Sequence, residues 1–258
     1  MNERFARQVP ITSRRRPEQV IPLRPLADVS RRAPGDLLPF ALPMEKETIA
    51  MALHAIQNCL QVVGMGIDLL QLTGDINQED SGQMRRSSEK ANRLLLELRE
   101  YWCPPEPHPW VENLADTVES IVQGAALEWA GPGHATRVRN HNPCETFEAD
   151  WGQVEKALGR VIFCAYAMLP SESGEVLVEA SVQALGGQQF IQIEIRIRDE
   201  APLSVEERML FSPFISVNGY ELGLSLVLAQ RTAVRLSGHL LFHKINPQEA
   251  YFLLYFRI

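Results

Sequence analysis

Apolar residues recur at Ile49, Leu53, Ile56, Leu60, Val63, Ile67 and Leu70, a 4-3-4-3 spacing held over three heptads. That rhythm predicts a long helix with one seam for a partner. A turn-rich stretch containing Gly74, Asp75, Asn77 and Gly82 interrupts it. The spacing resumes at Met84, Ser88, Ala91, Leu95, Leu98 and Trp102 and is stopped by Pro104 and Pro105. Two such helices predict an antiparallel hairpin. A lone hairpin of this length leaves seam uncovered, so two copies are expected to close a four-helix bundle as a homodimer.

Beyond a linker at 107–110 the period changes. Residues 111–130 read as a helix with Leu114, Val118, Ile121 and Ala125 on one side, and 151–169 as a second carrying Val154, Leu158, Val161, Ala165 and Met168. Strict alternation then appears at 175–183 and 190–198. In the latter, Ile191, Ile193, Ile195 and Ile197 share one face, with Gln192, Glu194, Arg196 and Arg198 on the other. That pattern predicts a sheet packed on one side and wet on the other. A helix near 221–236, ended by Gly238, precedes two closing strands at 239–245 and 250–258. The expected class is α+β: a long helical hairpin, then a domain of helices layered on one face of a largely antiparallel sheet.

Charge marks the first boundary. Residues 1–40 hold eight arginines and four acids, net +4, which leaves −11 of the total −7 for the remainder, and seven of the 17 prolines precede residue 44. Such a segment cannot sustain a helix or a ladder and is expected to be a disordered arm. The expected divisions are therefore 1–44, an Arg/Pro-rich arm; 45–104, the hairpin; and 105–258, the α/β sandwich domain. Arg14, Arg15 and Arg16 suit an acidic partner, an anionic membrane face or nucleic acid, or are simply solvated. The acidic total argues against a nucleic-acid partner for the whole chain. No apolar run reaches the roughly 20 residues of a membrane helix and no signal-peptide core opens the chain, so a soluble, cytoplasmic protein is expected.

Cys59, Cys103, Cys144 and Cys164 are scattered, with no CxxC pair and no histidine at ligand spacing, so neither a metal site nor a disulfide framework is expected. Cys59 and Cys164 fall in apolar helical patterns and read as small core hydrophobes. His239 and His243 share a strand face without an acidic partner, and His108, His134 and His141 fall in connections that read as solvated. Tyr101 and Trp102 are expected to cap the bundle core.

His54 follows the seam residue Leu53, and Asn58 lies one turn further on the same outward strip. An exposed imidazole is a competent nucleophile toward phosphorus. On the hairpin alone the reading as an ordinary surface histidine prevails.

Residues 46–258 resemble the cytoplasmic part of a bacterial two-component sensor histidine kinase. Its phosphoacceptor helix is similar to His54-Ala55-Ile56-Gln57-Asn58-Cys59-Leu60. Ala149-Asp150-Trp151-Gly152-Gln153-Val154 resembles the opening of its nucleotide-domain helix, and Phe211-Ser212-Pro213-Phe214 its phenylalanine box. Gly219-Tyr220-Glu221-Leu222-Gly223-Leu224-Ser225-Leu226 resembles its second glycine box, followed by a turn at Leu236-Ser237-Gly238-His239. The resemblance implies a kinase-type ATPase fold, with Asp199 reading adenine and Gly219 and Gly223 approaching phosphate as residual nucleotide residues.

The departures change the implied chemistry. Where the family holds Mg²⁺ with asparagines, this chain has Arg160 and Cys164, neither of them a hard oxygen ligand. The first glycine box becomes Asp199-Glu200-Ala201-Pro202-Leu203, losing both glycines. Glu221 would set a carboxylate beside phosphate oxygens. The acid after the phosphoacceptor, implied as general base, is Ala55, and losing such a base costs about 10²- to 10⁴-fold in rate. The nucleotide pocket is therefore expected to be degenerate, with no resident cofactor; ATP and Mg²⁺ enter only if the pocket is divergent rather than lost.

The leading expectation is a histidine phosphotransferase of a two-component phosphorelay. His54 exchanges phosphate with response-regulator receiver domains, which bring their own Mg²⁺, and Gln57 and Asn58 orient the phosphoryl group or a water. The alternatives are a divergent ATP-dependent histidine kinase and a non-catalytic pseudokinase that binds a response regulator or a kinase.

Overall fold

The computed structural model describes residues 45–73, 78–131, 133–142, 145–171, 173–185, 187–203, 205–207 and 209–258. The arm at 1–44, the turn at 74–77 and Cys144 lie outside the described residues.

Two long helices open the described chain, α1 (Glu45–Thr73) and α2 (Gln78–Trp102). Gly82, expected in the interruption, is inside α2. Ile56 clusters with Leu94 and Leu98, while Gly66 lies so close to Met84 that a Cβ there would strike the thioether. The helices therefore run in opposite senses. Their seam is divided. Ile56, Ala91 and Leu98 are buried, whereas Leu53, Leu60, Ile67, Leu95 and Trp102 are exposed. Trp102 thus does not cap a core in this chain, and Tyr101, almost fully buried, belongs to the cluster with Leu224, Val227 and Leu228.

The remainder is an α/β layer structure. Strand β1 (Trp110–Asn113), read above as linker and helix start, pairs antiparallel with β3 (Thr146–Ala149). Asn113 then starts α3 (Leu114–Trp129) by accepting from the Asp116 amide at 3.0 Å. Strand β2 (Ala135–Asn140) was not foreseen from pattern because it is short and mixes Arg, Thr and Asn with one valine. Asp150 caps α4 (Trp151–Ala167), accepting from the Gln153 amide at 3.0 Å and its side chain at 2.7 Å.

Strands β4 (Glu175–Leu185) and β5 (Gln188–Arg198) are followed by the small hairpin β6 (Ser216–Val217) and β7 (Tyr220–Glu221), α5 (Ser225–Arg235), β8 (His239–Asn246) and β9 (Glu249–Arg257). The main sheet has the order β2-β4-β5-β9-β8, with β2 parallel to β4 and every other pair antiparallel. Helices α3, α4 and α5 cover one face, where Ile191, Ile193, Ile195 and Ile197 are fully buried with Leu158, Val161 and Ile162.

The opposite face is drier than alternation implied. Gln192 and Glu194 are also buried, because their cross-strand neighbours, Ser181 and Tyr255 for Gln192, and Glu179 and Leu253 for Glu194, stand beside them. Arg196 donates from Nε to Glu194 at 3.1 Å, satisfying that carboxylate. His134 is not solvated either. Its Nδ1 accepts from the Gly131 amide at 2.9 Å and its ring stacks on Tyr166.

Candidate functional site

The sequence of α1 puts His54 and Asn58 one helical turn apart, and both line a cavity of about 620 Å³ between the helix pair and the second domain. Gln57, also exposed, is not among its lining residues. Helix α2 contributes Lys90, Arg93 and Glu97, α4 contributes Gly159, Arg160 and Phe163, and the segment before α5 contributes Phe214, Glu221 and Gly223. Cys59 is buried at the cavity, and Cys164 lies fully buried in the main core, where burial pushes its thiol far above the usual range.

A set of contacts ties α2 to the second domain. Tyr101, Leu94 and Leu98 bury against Leu224 and, in α5, Val227 and Leu228, with Phe214 packed alongside. Phe214 adopts φ +60 and its amide donates to the Gly223 carbonyl at 2.8 Å, turning it from the core occupied by Phe211 toward the helices. The Arg231 guanidinium lies 3.9 Å from the Tyr101 ring centroid, and Arg235 donates to the Pro105 carbonyl at 2.6 Å. Lys90 pairs with Glu221.

Two carboxylates of α2 take the positions that the kinase resemblance assigns to phosphate and metal. Helix α5 has no cap from its own N-terminal residues. Instead the Leu224 amide donates to Glu97 Oε2 at 3.0 Å, so a carboxylate from another helix sits at the positive end of the helix dipole. Gly223, at φ +57, allows this approach: a Cβ there would lie 2.8 Å from the same oxygen. Burial raises the Glu97 carboxyl above its ordinary range, with the Leu224 amide pulling the other way. Arg160, one turn before Cys164 on α4, donates through Nη1 and Nη2 to the two oxygens of Glu100, both at 2.8 Å. That bond holds the Glu100 carboxyl below its ordinary range.

Asp199 is likewise engaged by its neighbours. Asp199 is buried, and although burial alone would raise its carboxyl, it is held low by the Ser171 hydroxyl at 2.7 Å and the Ala201 and Ser171 amides at 2.8 and 3.2 Å. It ties strand β5 to neighbouring loops and does not line the cavity. Gly219, φ +83, with Asn218 at φ +48, forms the two-residue turn between β6 and β7. Residues 221–224, expected to open a helix, are strand and turn. Among the described residues no group of three His, Cys, Asp or Glu side chains could hold a metal. A Mg²⁺–nucleotide does not fit this arrangement, because the α5 N-terminus already holds Glu97 and the implied metal position holds an arginine bound to Glu100.

Sequence reasoning missed Glu97, Glu100 and Lys90. On α2 they look like the solvated face of an amphipathic helix; their partners are 127, 60 and 131 positions away, beyond the reach of any local pattern.

No protein-family model matches the sequence, and no curated protein matches it. Solved structures do. The histidine kinase AdeS of Acinetobacter baumannii superimposes with a TM-score of 0.56 at 16% identity, over 81% of this chain and 96% of that one. The histidine kinase ThkA, solved in complex with the response regulator protein TrrA, gives 0.61 at 14% identity, over 82% of this chain and 61% of that one. Full-length ShkA, solved with AMPPNP, gives 0.53 at 18% identity over 82% and 45%. The described chain therefore has the fold of the sensor histidine kinases.

Proposed function

We propose that the chain is a histidine phosphotransferase of a two-component phosphorelay, with His54 as the phosphoacceptor. The observation that carries this reading is the division of the site. His54 and Asn58 stand open on α1, whereas the positions that would serve nucleotide and metal are engaged in holding the second domain to α2. The protein works in the cytoplasm with receiver domains; among the described residues no helix is long and apolar enough to cross a membrane. The likeness to a kinase solved with a response regulator supports that partner class.

A neutral ring nitrogen of His54 attacks the phosphorus of a receiver's aspartyl phosphate. The N–P bond forms, the acyl P–O bond breaks, the receiver aspartate leaves as a carboxylate, and the other ring nitrogen releases its proton to solvent. The reverse step loads a second receiver. Asn58, one turn from His54, donates to a phosphoryl oxygen, and Gln57 stands on the outward surface that a docked receiver covers. Leu53, Leu60 and Ile67, exposed on α1, and Leu95 on α2 form the contact by which two helix pairs make a dimeric four-helix bundle.

The test is to mix the protein with receiver domains carrying labelled aspartyl phosphate. Acid-labile label appears on the wild type and is absent from His54→Gln, which remains a dimer. Transfer that persists in the variant removes His54 from the assignment, and no transfer by the wild type leaves the binding-only reading. Titration with ATP and Mg²⁺ gives no saturable heat up to millimolar nucleotide; micromolar binding would return the divergent-kinase reading.

A further inference from the structure

A groove of about 960 Å³ runs between the exposed sides of α3 and α4. Its floor is open at Gly124 and Gly159, where an added Cβ would meet nothing within 4 Å. Trp110, 42% exposed, and Trp129 border it. Asp116, Glu128 and Glu155 line it, and among the described residues no ion pair engages any of the three. Of its two cations, Arg160 is committed to Glu100. The groove is therefore concave, aromatic-bordered and anionic, a surface suited to an extended chain that carries arginines and prolines. Guanidinium groups pair with carboxylates and stack on indole, and proline rings pack on aromatic faces.

This chain contains such a segment. Residues 1–44 hold eight arginines, four acids and seven prolines, with cations and prolines alternating in Arg14-Arg15-Arg16-Pro17, Pro22-Leu23-Arg24-Pro25 and Arg31-Arg32-Ala33-Pro34. The segment joins α1 at Glu45, roughly 14 Å along the helix from His54, and the cavity at His54 shares Trp129, Gly159 and Arg160 with the groove. Forty-four residues reach up to roughly 145 Å when extended. The tether keeps the segment at high effective concentration beside the groove, which favours it over a separate basic partner.

We infer that the groove between α3 and α4 binds the Arg/Pro-rich segment at 12–34 of the same chain, with arginines on Asp116, Glu128 and Glu155 and prolines against Trp110 and Trp129. The docking does not require phosphotransfer at His54.

The experiment is limited trypsinolysis of the full chain at about 50 mM salt, where surface charge is weakly screened, following cleavage at Arg31 and Arg32 by mass spectrometry. Cleavage is slow in the wild type. It accelerates on the order of tenfold in Glu128→Lys/Glu155→Lys and in Arg14→Glu/Arg15→Glu/Arg16→Glu, and combining the two sets restores protection. Both acids are exposed, and Glu128→Gln/Glu155→Gln serves if the lysine pair perturbs the fold by circular dichroism. Equal rates in all chains, or protection that survives the groove variants, overturn the inference. Protection that rises with protein concentration overturns it in favour of a second copy's segment.

Discussion

Replacing Arg160 by alanine removes the bidentate contact that binds α4 to α2. The two nitrogens each meet one Glu100 oxygen at 2.8 Å, with the side chains 18% and 20% exposed. A fully exposed pair contributes about 0.2–1 kcal/mol, and breaking a fully buried one costs about 3–5 kcal/mol. Four-fifths burial with two charge-assisted bonds sets the expected loss at about 2 kcal/mol, since Glu100 is left desolvated without its donor. In a double-mutant cycle Arg160→Ala and Glu100→Ala each cost about 2 kcal/mol and the double variant little more, a coupling of about 1.5 kcal/mol. Urea unfolding followed by circular dichroism at pH 7 measures it. The carboxyl of Glu100 is held low, so its stabilisation is present above its ordinary value of 4.5 and is lost as pH falls through the folded value; the coupling fades in acid. Cys59, buried at the cavity, supplies a second readout. A 2 kcal/mol loss of docking raises its alkylation rate about 30-fold, while exposed Cys103 reacts alike in both proteins. Coupling below about 0.5 kcal/mol together with unchanged Cys59 labelling would refute the reasoning that this pair holds the domains together.

Three further perturbations probe the same arrangement. Burial raises the carboxyl of Glu97, so the stability linked to its protonated form is full below its ordinary value of 4.5 and is lost as pH rises through the folded value. Glu97→Gln keeps an oxygen for the Leu224 amide and removes that loss, so its advantage over the wild type grows from pH 4 to pH 8 in urea melts; parallel curves would contradict the burial argument. Asp199→Asn weakens three hydrogen bonds at the end of β5 and costs about 1–2 kcal/mol at pH 7. Because Asp199 is held low, that difference shrinks as pH falls through its folded value, and an unchanged melting curve would show that its role is not structural. Leu60→Asp, at an exposed position on α1, leaves the thermal unfolding of the single chain unaltered within about 0.5 kcal/mol but converts dimer to monomer in sedimentation. A wild type that sediments as a monomer would sink the bundle.

The sequence by itself determined what repeats along the chain. The heptad rhythm specified α1 and α2, alternation specified β5 with its isoleucine face, and an apolar face every three to four residues specified α4, because each of these patterns records burial against a continuous neighbour. It also placed His54 and Asn58 one turn apart on one helix, and set Arg160 and Cys164 where the kinase resemblance implies metal ligands. Short elements with mixed composition, β1, β2 and β3, lacked enough residues to display a period. What only the tertiary structure decided is how the seam residues divide between buried and exposed, and what the altered positions do instead. Arg160 binds Glu100, the α5 N-terminus binds Glu97, and Glu221 pairs with Lys90. Each contact joins groups 60 or more positions apart whose charges read locally as solvated surface. Electrostatic pairing depends on distance in space and on burial, and neither is written in the spacing of residues along a helix.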